Sequence, residues 1–280
     1  MKSILIIGSY YSFTRKLINK LYIEKWRIYT LVKYKEKKLS EVFEQYVFDY
    51  SSDSIREIIR SCKPHVIIFT GAYDSSFNWN AINIKDTALK YIADLSNLLM
   101  SSSTQGVRRF IYLSSEIVFN NDYIVDIKED MPVYPNSYMS MAISIGENMT
   151  IHVGQATQID TSLVRLANLY DIPKNKESCN DTITKMCLEA ATNRRLEVNA
   201  KRTFAPLYVD DAVEALYLLL ESKKREHKIY HISSMDEVTE DKIAKLIINN
   251  YSSPIDIIDS TKGLSKKKSC RGQSGKRENY

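Results

Sequence analysis

The stretch Ser3-Ile4-Leu5-Ile6-Ile7-Gly8-Ser9-Tyr10-Tyr11-Ser12, continued as far as Val32, decides the fold. Residues 3–8 are a short β-favouring run that closes on a glycine. Residues 12–25 then carry Phe13, Leu17, Ile18 and Leu21 at helical spacing on one face. Residues 27–32 return to a strand-like pattern, so the whole reads as strand, turn, helix, strand. The same alternation runs outward along the chain. A short third strand is expected at 46–48 and a helix at 53–61, capped by Ser52 or Asp53. Residues 65–70 are almost wholly apolar, as in a strand buried on both faces of a parallel sheet. A long helix over 83–100, leaving through the serine-rich 101–106, precedes a strand at 107–113. A helix at 137–152 and a strand at 160–166 come next.

This rhythm predicts an α/β fold, a Rossmann-like doubly wound parallel sheet. Past Tyr170 it loosens into helices at 181–193, 209–222 and 240–251 with short strands at 196–198 and 228–232, the pattern of a smaller α+β C-terminal lobe. The expected organisation is therefore a Rossmann-like domain over 1–170, interleaved with later elements, and a smaller lobe over 171–261. Residues 262–280 hold seven basic residues and one acid and read as a disordered basic tail.

Composition narrows the function classes. The net charge of +5 resides in that tail, so the body is close to neutral and offers no nucleic-acid-binding face. Apolar runs stop at about six residues, far short of the roughly 18 needed to span a bilayer. With no signal-like segment after Met1 and scattered cysteines (Cys62, Cys179, Cys187, Cys270), the chain reads as cytoplasmic, with neither a disulfide framework nor a zinc site. His227 and His231 flank a strand-like segment that separates them, so no metal site is expected there either. Glycine is scarce: 8 in 280 residues.

Several strings, in order, resemble the extended short-chain dehydrogenase/reductase family, the NAD-dependent epimerase/dehydratases of nucleotide sugars. Phe110 to Ser115 with Val118-Phe119 is similar to the strand ending in the catalytic Ser/Thr. Pro135 to Tyr138 resembles the approach to the catalytic tyrosine, and Val164 to Tyr170 the strand entering the substrate lobe. Arg202 to Asp211, with Ala212 to Ala215, is similar to that lobe's V-x-D helix start, and Asn83 with Thr87 fits the long helix. The resemblance spans Lys2 to about Ile258. It implies a dinucleotide-binding first domain, Ser115 and Tyr138 as catalytic hydroxyls, and Arg165, Asn168 and Arg202 as substrate-binding residues. It also implies a homodimer through the long helix and the tyrosine helix. Ile84, Leu95, Leu98, Leu99, Met139, Ile143 and Met149 offer apolar material for that interface.

The chain departs from the family's pattern at two places. In the family's G-x-x-G-x-x-G loop the glycines let backbone approach a pyrophosphate. Here Gly8 is kept, but Tyr11 and Thr14 stand at the second and third positions. Gly8, Ser9, Tyr11 and Ser12 are the candidate cofactor loop, either filled by its own side chains or rebuilt around a phosphate with help from Arg15. At the end of the second strand, Lys33 replaces the acid of NAD-preferring members, so any cofactor is expected to be NADP, or NAD, or none. In Tyr-x-x-x-Lys the lysine lowers the tyrosine's pKa; here Ala142 takes its place. Glu116-Ile117 lacks the second acid of the dehydratases, and Asp210-Asp211 suit a helix start better than a metal.

Two functions are expected from this balance. One is a divergent member with degraded redox machinery, a pseudoenzyme that binds a nucleotide sugar or other small molecule or assists an active homologue. The alternative is an active NADP-dependent nucleotide-sugar epimerase or reductase using Tyr138 and Ser115.

Overall fold

The computed structural model describes residues 2–35, 37–47, 51–74, 77–79, 82–119, 127–172, 181–200, 202–223, 227–234, 236–251 and 254–259. In chain order the elements are β1 (Ser3–Ile7), α1 (Ser12–Ile23), β2 (Arg27–Val32), β3 (Glu44–Val47), α2 (Ser52–Cys62), β4 (Val66–Phe69), α3 (Ile84–Thr104), β5 (Arg109–Ser115), α4 (Tyr138–Ala156), β6 (Asp160–Leu166) and β7 (Asn168–Tyr170). They continue with α5 (Thr182–Asn193), β8 (Arg195–Val198), β9 (Thr203–Phe204), β10 (Pro206–Tyr208), α6 (Val209–Glu221), β11 (Ile229–Ile232), β12 (Val238–Thr239), α7 (Glu240–Asn249) and β13 (Asp256–Asp259). Short 3₁₀ turns follow β4 at Gly71–Tyr73 and β5 at Glu116–Phe119.

The chain forms two compact units, one of residues 1–169 with 207–233 and one of 170–206 with 234–280. The first is built on a seven-stranded sheet in the order β11-β6-β5-β4-β1-β2-β3. Every pairing in it is parallel, with Ile4 opposite both Ile28 and Val66, and Ser115 opposite Leu166. Strand order reverses between β1 and β4, which opens a crevice at their C-terminal ends. Two apolar clusters cover the sheet. One unites Phe69, Tyr112 and Leu163 with α3 and α4; the other unites Ile4, Ile68 and Val164 with α1 and α6. All four side chains of β4 are buried, as a strand between two helical layers requires. The smaller lobe does not run unbroken over 171–261: residues 207–233 pack with the first unit, where β11 pairs in parallel with β6. Helix α6 is likewise held against α1, with Asp210 bonded to Lys16 at 2.8 Å and Glu214 to Lys20 at 2.8 Å.

Sequence-expected boundaries hold to a few residues, and the largest shifts are at the C-terminal ends of α3 and α4, found at Thr104 and Ala156. The serine run expected to end α3 stays helical to Thr104, with Ser101 and Ser102 buried against the core and Ser102 donating to the Leu98 carbonyl at 2.6 Å. The turn completes at Gly106, whose φ of +73° is a left-handed value that glycine adopts without strain. Helix α4 begins at a capping box in which Ser137 and Ser140 satisfy each other's backbone N–H.

In the second unit, β13 pairs in parallel with β8 and β12 antiparallel with β9. Met186, Leu196, Phe204, Ile243 and Ile247 form its core beneath α5 and α7. The basic tail lies outside the described residues. Among the described residues no helix is long and apolar enough to cross a membrane, and no three His, Cys, Asp or Glu side chains gather as metal ligands would.

Close helix-to-sheet packing concentrates at Gly146 of α4. A Cβ there would lie 2.6 Å from the Tyr112 hydroxyl and 2.8 Å from a Leu95 methyl. The Tyr112 hydroxyl cannot yield easily, being buried and bonded to Tyr91 at 2.6 Å and to the Ile143 carbonyl at 3.1 Å. Gly146→Ala is therefore expected to destabilise the first unit by ~1–3 kcal/mol despite alanine's better helix propensity, measured as a lower urea midpoint; an unchanged or higher midpoint would refute the packing argument.

Candidate functional site

The crevice at the C-terminal ends of β1, β4, β5 and β6 holds most of the sequence-predicted site residues. Gly8 ends β1 at φ +132°, a conformation a side chain rarely adopts. A Cβ on Gly8 would sit 1.9 Å from Thr70 Oγ1 and 3.3 Å from the Asp74 carboxyl carbon. The space that glycine leaves is thus used by the chain's own β4 end, and Thr70 donates to the Ile7 carbonyl at 3.1 Å. Asp74 is buried, and its Oδ1 accepts the Ser9 backbone N–H at 3.2 Å.

The rest of the loop also turns inward. Tyr10 is buried, with its hydroxyl 2.7 Å from Thr30 Oγ1 and donating to Gln45 Oε1 at 2.6 Å. Its carbonyl accepts from Arg15 Nε at 2.9 Å, and the guanidinium lies over the Tyr10 ring. Arg15, a candidate phosphate donor, is thereby directed onto the loop itself. Tyr11 is the N-cap of α1 and makes no side-chain capping bond; Ser12 is the first helical residue. Thr14, at the third glycine position of the family pattern, is fully buried with no hydrogen-bond partner for its hydroxyl among the described residues. Lys33, just after β2, places its ammonium 5.2 Å from the centre of the Phe77 ring and 5.5 Å from that of Tyr34.

Around β5 and β6 a second group assembles. Ser115, half-buried at the end of β5, accepts the Ile117 N–H at 3.4 Å and lies beside Tyr73. Tyr73 reaches on to donate to the Leu166 carbonyl at 3.1 Å. Burial pushes the Tyr73 phenol well above the ordinary tyrosine value, opposed by the neighbouring Ser115 hydroxyl, so it is a neutral proton donor at every physiological pH. Glu116 is buried and accepts from the Asn168 amide in a short hydrogen bond. Tyr138 opens α4, 44% exposed, with no side-chain hydrogen bond among the described residues. Ala142, one turn on, is fully buried.

Arg165, expected to bind substrate, is buried and directed onto a neighbouring helix. It lies two residues beyond Leu163 on the sheet face that meets α4, and it pairs bidentately with Glu147 of α4 at 2.8 Å through both Nε and Nη2. Ser114 donates to the same carboxylate at 2.6 Å, and Arg165 also donates to the Glu129 carbonyl. Arg202 belongs to the second unit, where it pairs with Glu240 at 2.9 Å. Tyr10, Tyr73 and Asp74 are residues of the crevice that the sequence does not single out. The signal for the last two is position alone: they come after the β4 strand at the switch point, where doubly wound folds gather their sites.

A parallel sheet with a switch-point crevice, a glycine after β1 and a serine at the end of β5 define a nucleotide-binding type of α/β protein. The sequence profile of the NAD dependent epimerase/dehydratase family matches residues 4–233, and the chain belongs to this family. No curated protein sequence matches it. Among solved structures, it is similar to a UDP-glucose 4-epimerase with UDP-glucose from Thermotoga maritima (17% identity, 93% of this chain and 87% of that one, TM-score 0.78). It is also similar to a UDP-glucuronic acid 4-epimerase from Bacillus cereus in complex with UDP-glucuronic acid and NAD (15% identity, 92% and 86%, TM-score 0.77). A third is a dTDP-glucose 4,6-dehydratase from Bacillus anthracis with NAD (18% identity, 89% and 81%, TM-score 0.71). At these identities the likeness is one of fold.

The Arg165–Glu147 pair is 4% exposed on both sides. Arg165→Met would strand the Glu147 carboxylate, an uncompensated buried charge that costs about 3–5 kcal/mol. The expected result is a large loss of stability in chemical denaturation, with most of it recovered in the double variant Arg165→Met/Glu147→Met. A single-variant loss below about 1 kcal/mol would contradict the pairing.

Proposed function

We propose that this chain is a non-catalytic, ligand-binding member of the epimerase/dehydratase family that does not carry out hydride transfer. The observation that carries the proposal is the buried Asp74 carboxylate, which accepts the Ser9 N–H directly behind Gly8. In this family the diphosphate of NAD lies against that loop. A second anion brought beside an enclosed carboxylate meets repulsion in a medium that screens it poorly, and it also loses a backbone donor. The residues present therefore do not fit a dinucleotide. Tyr11 and Thr14 in place of glycines and Ala142 in place of the lysine agree with this at two further points. No acid–base step is assigned to Tyr138, which lacks a neighbouring cation on α4. The ligand we assign is a nucleotide sugar or similar small molecule, the class named in the structural relatives, held at the ends of β5 and β6 near Ser115 and Asn168.

The exposure of Tyr138 supports a second reading, an NADP-dependent epimerase or reductase that uses Tyr138 and Ser115, with Lys33 on the cofactor. Titration of the purified chain with NAD, NADH, NADP and NADPH separates the two. Our expectation is no saturable binding up to millimolar concentration. Micromolar binding of any of them would overturn the proposal, and loss of turnover in Tyr138→Phe would then establish the second.

We also propose a homodimer through α3 and α4. Of the expected residues, Leu95, Leu98, Leu99 and Ile143 are fully buried against the sheet and Ile84, Met139 and Met149 are half-buried; the exposed apolar side chains of the two helices are Leu89 (57% exposed), Met100 (52%), Met141 (42%) and Ile145 (38%). Sedimentation is expected to show a dimer at micromolar concentration that Leu89→Lys/Ile145→Lys converts to monomer. A monomeric parent chain would refute it.

A further inference from the structure

At the opposite end of the sheet from the crevice, the N-terminal ends of β4 and β5 and the C-terminal ends of α2 and α3 enclose an open cavity of about 420 Å³. Its apolar floor includes Ile59 and Val107, and Arg60, Lys63, His65 and Arg108 also line it; no carboxylate does. Among the described residues none of these four makes an ion pair. Arg60 Nε is held by the Gln105 side chain at 2.9 Å, which aligns the guanidinium without neutralising it. Asp160, the acid opposite Arg109 at the start of β6, receives Arg109 and Lys228 instead. His65 Nδ1 is engaged by Ser3, lying 3.2 Å from its backbone nitrogen and 2.7 Å from its Oγ. Lys63 takes the left-handed position that ends α2, at φ +42°, where a glycine would be less strained. The two helix C-termini bring about half a negative charge each, which the two guanidiniums and one ammonium more than offset.

We propose that this cavity is an anion site for a phosphorylated small molecule, separate from the crevice and untouched by whether a dinucleotide binds there. Two guanidiniums and an ammonium, with the imidazole of His65 beside them, suit the oxygens of a phosphate. The apolar floor and a volume within the roughly 300–1,000 Å³ range of small-molecule sites suit the organic part of the ligand.

The test is a titration of the full chain with inorganic pyrophosphate, followed by amide NMR shifts and calorimetry. Saturable shifts are expected at Lys63, His65, Gly106 and Arg108. Arg60→Gln/Arg108→Gln should weaken binding by about tenfold or more through the loss of charge-assisted hydrogen bonds. Both are exposed side chains, so the fold should be retained. Lys63→Gly should also weaken binding while leaving the thermal midpoint unchanged or raised. The absence of saturable shifts at millimolar pyrophosphate, shifts confined to residues 8–15, or an affinity unchanged in the double variant would each overturn the proposal.

Discussion

The bidentate bond between Arg165 and Glu147 is the constraint on which the geometry of the crevice depends. It joins the penultimate residue of β6 to the middle of α4 in a buried setting, and Ser114 of β5 is drawn into it. Such a pair costs desolvation and is held only when its geometry is complete. Here both carboxylate oxygens are used, and the guanidinium also rests 4.8 Å from the centre of the Phe119 ring. Helix α4 is thereby locked in rotation and in height against two strands. Everything it presents, from Tyr138 at its first turn to the outward Met141 and Ile145, depends on that lock.

Against this rigid wall the β1–α1 loop has been turned to internal bonding. In a dinucleotide-binding loop, glycines keep side chains away so that backbone N–H groups face a phosphate. Here Thr70 fills the space beside Gly8, Asp74 takes the Ser9 N–H, and Tyr10 swings under the loop to Thr30 and Gln45. Each of these contacts satisfies a group that would otherwise be buried and unpaired. The loop is consequently a part of the core, and these contacts are the ground on which we propose that it does not receive a diphosphate.

Charge is distributed in the same spirit. Acids and bases on α1 and α6 pair with one another, so the interface between those helices carries little net charge. At the N-terminal edge of the sheet Lys2, Arg109 and Lys228 meet Glu221 and Asp160, whereas Arg60, Lys63 and Arg108 make no ion pair among the described residues. The crevice buries the carboxylates of Asp74 and Glu116, and the cavity at the opposite edge is lined by Arg60, Lys63 and Arg108 with no carboxylate.

Much of this was legible in the residues. Apolar periodicity located α1 to α7 and most strands within a few positions, because burial on one face or two imposes a pattern that neighbouring residues reveal. The family strings placed Ser115 and Tyr138 at a strand end and a helix start, and missing glycines and a missing lysine are visible in a one-dimensional string. What the string could not reveal was pairing. That Arg165 meets Glu147, that Asp74 lies behind Gly8, that Leu95 and Ile143 face inward, and that β11 closes the first sheet are contacts between residues distant in the chain. They are decided when strands come into register and helices dock, since a side chain's partner is set by which face it occupies and what packs there. Sequence alone determined the alternation of strands and helices in the first unit, all seven helices and the losses from the family's pattern; the tertiary structure decided the short strands that exist only by pairing with distant ones and which charges are neutralised inside, because both depend on what packs against each face.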